Sequence, residues 1–242
     1  METVLVTGGT RGLGLATCEL LVAEGYRVIA TGRSMSDPLR ALMGKANPNG
    51  RLDFEVLDLT ATERIGETVG HIIAKHGDIG GLVNNAAVGL DGVLATMHDT
   101  QIETVIQVNL LATVLLTKYV SRSMLIRRKG RIVNIASVVA NTGFSGLSVY
   151  AATKAGLIGF SRSLARELGK VGVTVNCVLP GFLATEMTAT IDSADLARIQ
   201  NRSALGRLAT TGDVAATIAY LLSEQAAAIS GTEVVVDAGS TA

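Results

Sequence analysis

The chain has 242 residues, 48% of them hydrophobic, which suits one sizeable α/β domain. Lys plus Arg and Asp plus Glu each number 21, so no bulk field draws the protein to nucleic acid or to an anionic membrane. Its start, Met1-Glu2-Thr3-Val4-Leu5-Val6, lacks the basic region of a signal peptide, and no uninterrupted apolar run approaches the ~18 residues of a membrane span. A cytoplasmic setting is expected. The cysteines, Cys18 and Cys177, lie in apolar runs and read as buried free thiols.

Along the chain, short β-rich runs alternate with helical patterns. Thr3–Thr7 is the first strand, followed by a Gly-rich turn and an apolar helix to about Glu24. Arg27–Thr31 is the second strand, and Leu52–Leu57 the third, after a short helix and a Pro/Asn/Gly loop. A helix through Ile65, Val69 and Ile72 leads to Gly81-Leu82-Val83. One long helix, about Thr100 to Arg127, precedes the strand Arg131–Ile135. Another, about Val149 to Gly169, precedes Thr174–Val178, and a last one, about Asp213 to Leu222, precedes Glu233–Val236. Short strands, apolar on both faces and joined by helices, predict a doubly wound seven-stranded parallel sheet flanked by helices. A single domain is expected over residues 1–242, with the mixed stretch at about 184–205 as a candidate substrate lid.

Between the first strand and its helix stands Thr7-Gly8-Gly9-Thr10-Arg11-Gly12-Leu13-Gly14. Glycines there permit a tight turn and bring backbone N–H groups to a pyrophosphate, and the helix N-terminus adds partial positive charge. A structural turn in a Gly-rich chain is the other reading; the position after the first strand favours the nucleotide. The second strand ends in Thr31-Gly32-Arg33-Ser34, where an NAD site usually carries an acid for the ribose 2′-hydroxyl. Arg33, with Arg11, is suited instead to clamp a 2′-phosphate, so NADP(H) is expected over NAD(H). The competing reading makes both arginines solvated surface residues.

Tyr150 and Lys154 stand i, i+4 on one helix face, in Ser148-Val149-Tyr150-Ala151-Ala152-Thr153-Lys154. A free phenol has a pKa of about 10, and a nearby ammonium lowers it toward working pH. A snorkelling lysine beside a half-buried tyrosine fits the spacing as well. Context favours chemistry: Ser137 follows a strand's carboxyl end, where ligands sit in open α/β sheets. Asn109 falls near the apolar face of the long helix, where its amide needs a partner. His71, His76 and His98 share no metal-ligand spacing; they read as solvated, and no metal is expected.

The Gly8-x-x-x-Gly12-x-Gly14 turn, followed by Asn109, Ser137, Tyr150 and Lys154 in that order, resembles the short-chain dehydrogenase/reductase family over almost the whole chain. The resemblance implies a Rossmann-type NADP-binding domain. The family's catalytic Asn-Ser-Tyr-Lys tetrad maps onto those residues. Tyr150 would deliver the proton and Ser137 would hold the ketone oxygen. Lys154 would bind the ribose hydroxyls and lower the Tyr150 pKa, and Asn109 would hold a relay water. Besides Gly8, Thr10, Arg11, Gly12, Leu13 and Gly14, the resemblance assigns further cofactor contacts. Asp58 and Leu59 lie at the adenine, Asn85, Ala86 and Ala87 follow the fourth strand, and Pro180, Gly181, Leu183 and Thr185 lie at the nicotinamide. Ala87 departs from the family's usual Asn-Asn-Ala-Gly.

Within the family, Gly130–Val139, Tyr150–Ser161, Pro180-Gly181-Phe182 with Thr185-Glu186-Met187-Thr188, and Ser230-Gly231-Thr232 are similar to bacterial 3-oxoacyl-(acyl carrier protein) reductases. That resemblance implies NADPH-dependent reduction of a 3-oxoacyl thioester, carrier- or CoA-linked, and a homotetramer. A dehydrogenase of a free secondary alcohol and a non-catalytic nucleotide-binding scaffold are the alternatives. Arg127-Arg128-Lys129 is either a docking point for an acidic carrier near the site mouth or a cationic helix C-terminus favoured by the macrodipole.

Overall fold

The computed structural model describes residues 2–46, 51–183, 198 and 200–242. Seven parallel strands form one sheet in the order β3-β2-β1-β4-β5-β6-β7. They are β1 (Thr3–Thr7), β2 (Arg27–Gly32), β3 (Leu52–Val56), β4 (Gly81–Asn84), β5 (Gly130–Ile135), β6 (Val173–Pro180) and β7 (Glu233–Val236). Every residue of β4, β5 and β6 is buried, the mark of strands covered on both faces.

Alternate residues of each strand feed two cores. Val4, Val6, Val28, Ala30, Val83 and Val133 point to one face. There they meet α1 (Gly12–Ala23), α2 (Asp37–Ala46) and the helix Thr211–Leu222 through Leu21, Leu39 and Ile218. Leu5, Ile29, Leu82, Ile132 and Val175 point to the other, against α3 (Ile65–His76) and the long helix before β5. Each such Leu or Ile contributes about 1.5–3 kcal/mol by leaving water. Cys18 and Cys177 are buried free thiols, as expected, with burial pushing them up to about 12 and about 11.

The long helix is not uniform. It runs as α4 (Asp99–Ile106), a π turn (Gln107–Leu111) and α5 (Ala112–Arg127). By length and hydropathy Asp99–Arg127 is apolar enough to cross a membrane; half of its apolar 18-residue window is buried, with Val108, Leu116, Val120 and Met124 packed on the sheet. Two helices follow β5: the single turn α6 (Val139–Thr142) and the long α7 (Ser148–Leu168). The last helix, α8 (Thr211–Leu222), starts with a capping box in which Thr210 and Asp213 exchange bonds.

One expectation is corrected here. His76 is not solvated: its side chain is 2% exposed, with Nε2 2.7 Å from Glu55 Oε1 and Nδ1 3.6 Å from Asp53 Oδ2. The C-terminus of α3 lies over β3, so strand carboxylates reach it from the sheet.

Candidate active site

β1 lies between β2 and β4, so consecutive crossovers leave it in opposite directions and open a crevice at the carboxyl ends of the strands. The glycine turn occupies it. Gly8 takes φ +64°, which favours glycine, and a Cβ on Gly14 would stand 2.1 Å from the Gly8 carbonyl oxygen. The turn therefore brings backbone, not side chains, to the N-terminus of α1, and Leu13 turns into the core. Its second support comes from the loop after β4. Asn85 donates from Nδ2 to Thr7 O at 2.9 Å and Gly8 O at 3.3 Å. Thr7 Oγ1 accepts from the N–H groups of Asn85 and Ala86 at 2.9 and 3.0 Å. Asn85 thus acts by holding the phosphate turn; Thr7, which the motif reading passed over, is the hub. Ala87 follows half-buried in the same loop.

At the end of β2, Arg33 and, on the turn, Arg11 and the half-buried Thr10 surround the crevice; both arginines are exposed, and Arg11 occupies the N-cap position of α1 without a side-chain capping bond. No acid occupies Thr31–Ser34. Asp58, after β3, accepts from Thr60 N at 2.9 Å and Thr60 Oγ1 at 2.7 Å. Those bonds, with the charge of Arg33, hold its carboxyl below the usual range. Leu59 is buried in the core.

At the other end of the crevice, Ser137 is fixed between two cross-strand bonds, Ala136 N to Val178 O at 2.9 Å and Val138 N to Pro180 O at 3.1 Å. Burial pushes the Tyr150 phenol up to about 12; a hydrogen bond with Ser137 opposes the shift, and the charge of Asp91 adds to it. Lys154 is buried, donates from Nζ to Ile135 O at 2.7 Å, and is pushed down to about 8 by that burial. Its Nζ lies 5.5 Å from the Tyr150 ring centroid. Burial governs the phenol, and the Lys154 ammonium is turned to the β5 carbonyl. Asn109 sits in the π turn and grips Val88 from both sides, accepting from its N–H at 2.8 Å and donating to its carbonyl at 2.9 Å.

A buried polar chain supports these groups. Asn84 donates to Thr117 Oγ1 at 2.9 Å and to Asn134 Oδ1 at 2.7 Å. Asn134 donates to Ser161 Oγ at 2.7 Å, and Ser161 lies on the helix of Tyr150 and Lys154. Interior bonds of this kind fix register between elements, although Asn84 Oδ1 itself is buried without a hydrogen-bond partner.

Past β6, Gly181 N donates to Val236 O at 3.0 Å, and Leu183 bridges to Ala209. Thr185 and most of the 184–205 stretch lie outside the described residues. Asp237, missed in the sequence, closes this side. Burial pushes its carboxyl up, yet donors from Thr241, Gly239 and Ser240 at 2.7–3.0 Å outweigh that and hold it below its usual range. Its signal was the polar tail Asp237-Ala238-Gly239-Ser240-Thr241. The turn it holds accepts at Ala238 O and Gly239 O from Leu205 N and Ala204 N, at 3.1 and 3.2 Å.

The basic triplet does not stand where it was expected. Arg127, Arg128 and Lys129 precede β5, at the amino end of the sheet, opposite Tyr150. There Arg127 pairs with Glu2 at 3.2 Å, Lys129 with Glu224 at 2.7 Å, and Arg128 donates to Lys170 O at 3.2 Å.

A dinucleotide crevice at the sheet's switch point, with a serine, tyrosine and lysine at its far end, defines an oxidoreductase of CH–OH and C=O groups. The chain belongs to the short-chain dehydrogenase family, which it matches over residues 2–196. It is similar to the 3-oxoacyl-(acyl-carrier-protein) reductase FabG of Escherichia coli (strain K12), 40% identical over 239 residues, 98% of this chain and 96% of the relative. The FabG of Haemophilus influenzae is 40% identical over 240 residues, 98% and 97%. The 3-oxoacyl-(acyl-carrier-protein) reductase MabA of Mycobacterium avium is 37% identical over 238 residues, 98% and 89%. Family membership implies a nicotinamide cofactor. The residues fit one, because the Gly14 side of the turn has no space for a Cβ and presents backbone at a helix N-terminus.

Proposed function

We propose that the protein reduces the ketone of a 3-oxoacyl thioester, linked to carrier protein or CoA, to the 3-hydroxyacyl form with NADPH. Full-length similarity to FabG and MabA proteins supports the substrate class. The observation that carries the chemistry is the cluster at the strand ends: the Tyr150 phenol hydrogen-bonded to Ser137, on one helix face with the buried Lys154. A phenol so placed can hand its proton to a ketone oxygen that Ser137 also holds.

The nicotinamide, when bound, supplies a hydride to the ketone carbon. Tyr150 donates its proton to the ketone oxygen, which Ser137 holds by hydrogen bonding. An ammonium has three donors. Lys154 uses one on Ile135 O and keeps the others for ribose hydroxyls and a relay water. The Asn109 amide has one donor and one lone pair left beyond Val88 to hold that water. Arg33 and Arg11 take the 2′-phosphate, with Asp58 and Leu59 at the adenine. Gly8, Thr10, Gly12, Leu13 and Gly14 form the pyrophosphate turn, and Asn85, Ala86 and Ala87 brace it. Pro180, Gly181, Leu183 and Thr185 line the nicotinamide.

The chain acts as one NADP-binding domain whose 184–205 stretch covers the substrate, within a cytoplasmic homotetramer. A carrier protein docked on Arg127, Arg128 and Lys129 would serve the site of a neighbouring copy, since the sheet separates that triplet from this chain's own Tyr150.

The test is absorbance-monitored NADPH oxidation with ethyl acetoacetate and acetoacetyl-CoA, with NADH run in parallel. Turnover of both, with NADPH preferred, is expected. Turnover confined to free cyclic or sugar ketones would transfer the assignment to the alternative dehydrogenase, and a clear NADH preference would remove the 2′-phosphate role of Arg33.

A further inference from the structure

The loop between β4 and α4 is held at two points. Asn109 grips Val88 with both atoms of its amide, at 2.8 and 2.9 Å. Gly92 N donates to Gly146 O at 2.9 Å, in the turn that leads into α7. Asp91 stands beside the second clasp, and Gly146 precedes Tyr150 by one helical turn's worth of chain. The backbone at Asp91 is therefore held beside the turn that leads into Tyr150, and its charge reaches the phenol. The carboxylate is exposed and, among the described residues, makes no hydrogen bond or ion pair. Its neighbours along these loops are apolar and also open to solvent: Val93 is 64%, Leu94 55% and Phe144 64% exposed. A rim of apolar side chains carrying a negative charge that no described residue pairs is an unfavourable place for a free acyl carboxylate.

We propose that Asp91 is a charge filter on the acyl end of the substrate, turning away free 3-oxo carboxylates and admitting acyl groups whose carboxyl carbon is esterified or thioesterified. The inference rests on the ketoreductase reading and refines it. In a 3-oxo acid the carboxylate is two bonds from the reacting ketone carbon. With the ketone oxygen at Tyr150, that anion comes under the same carboxylate whose charge already reaches the phenol. Esterification or thioester formation at that carbon removes the charge and leaves the ketone unchanged. The filter thus separates activated acyl groups from their hydrolysis products, which a purely steric pocket of this kind does poorly.

The experiment compares kcat/KM for ethyl acetoacetate and for acetoacetate in wild type, Asp91→Asn and Asp91→Glu, with NADPH saturating. Wild type and Asp91→Glu are expected to favour the ester strongly. Asp91→Asn should narrow the ester-to-acid ratio about tenfold, through a gain on acetoacetate, equivalent to ~1.4 kcal/mol. High salt should narrow the wild-type ratio in the same direction. If wild type reduces neither compound, the ketoreductase reading fails and the filter with it. If the ester is reduced and Asp91→Asn leaves the ratio unmoved, the filter alone is refuted.

Discussion

Replacing Gly14 by alanine tests the phosphate turn directly. The added Cβ would lie 2.1 Å from Gly8 O and 2.6 Å from Asn85 Nδ2. Carbon–oxygen contacts settle at about 3.3 Å, so the turn would have to open by roughly 1.2 Å. It has little freedom to do so: Gly9 N is bonded to Thr31 O at 3.0 Å, and Asn85 ties both Thr7 O and Gly8 O. Overpacking costs about 1–3 kcal/mol, and a clash against bonded backbone belongs at the upper end. For a chain of this size ~3 kcal/mol lowers Tm by about 6–12 °C. Thermal unfolding followed by circular dichroism reads the shift, and NADPH fluorescence titration should show binding lost. Gly70→Ala is the control. It adds a methyl within α3 with nothing inside 4 Å, and should stabilise by about 0.5–1 kcal/mol. A Gly14→Ala protein that melts within about 1 °C of wild type and still binds NADPH would refute the claim that close backbone approach makes the turn.

Tyr150→Phe removes one hydroxyl while keeping the ring that packs beside Lys154. Turnover should fall about 10²–10⁴-fold with NADPH binding nearly unchanged, and substantial residual turnover would deny the phenol its proton-donating role. Arg128→Glu reverses a charge at the amino end of the sheet, far from Tyr150. It should weaken reduction of a carrier-linked substrate in steady-state assays and leave ethyl acetoacetate unaffected; equal losses on both would count against carrier docking.

The sheet was legible because its strands are short apolar runs at regular intervals: Val4, Val28, Leu82, Ile132 and Val175 are buried where the pattern places them. The chemical end was legible in part. Spacing put Tyr150 and Lys154 on one helix face, and position after a strand put Ser137 at the carboxyl edge. What spacing could not carry was competition among partners. Lys154 has a nearer acceptor in Ile135 O, so the phenol follows its own burial. Asn85 looked like a ligand contact, but its bonds cross to residues 77 and 78 positions away, which no local motif records. His76 is paired with acids on β3 for the same reason. The basic triplet was different, since its placement followed from the chain. Residues that precede a parallel strand stand at its amino end, opposite the ligand.

The π turn at Gln107–Leu111 has a consequence for how this chain can change over generations. Such a turn holds one residue more than regular helix needs, and each residue advances a helix by about 100°. Loss of a single codon there would remove that extra residue and restore ordinary pitch, with Thr117 still facing Asn84 and Leu116 and Met124 still facing the sheet. The damage would be local, because Asn109 lies inside the turn and holds Val88 with both atoms of its amide. A gain or loss of one codon within α5 itself has no such slack and would rotate the rest of the helix by about 100°. The scaffold can therefore absorb a one-residue change in length at this turn, and the cost of that change falls on the site.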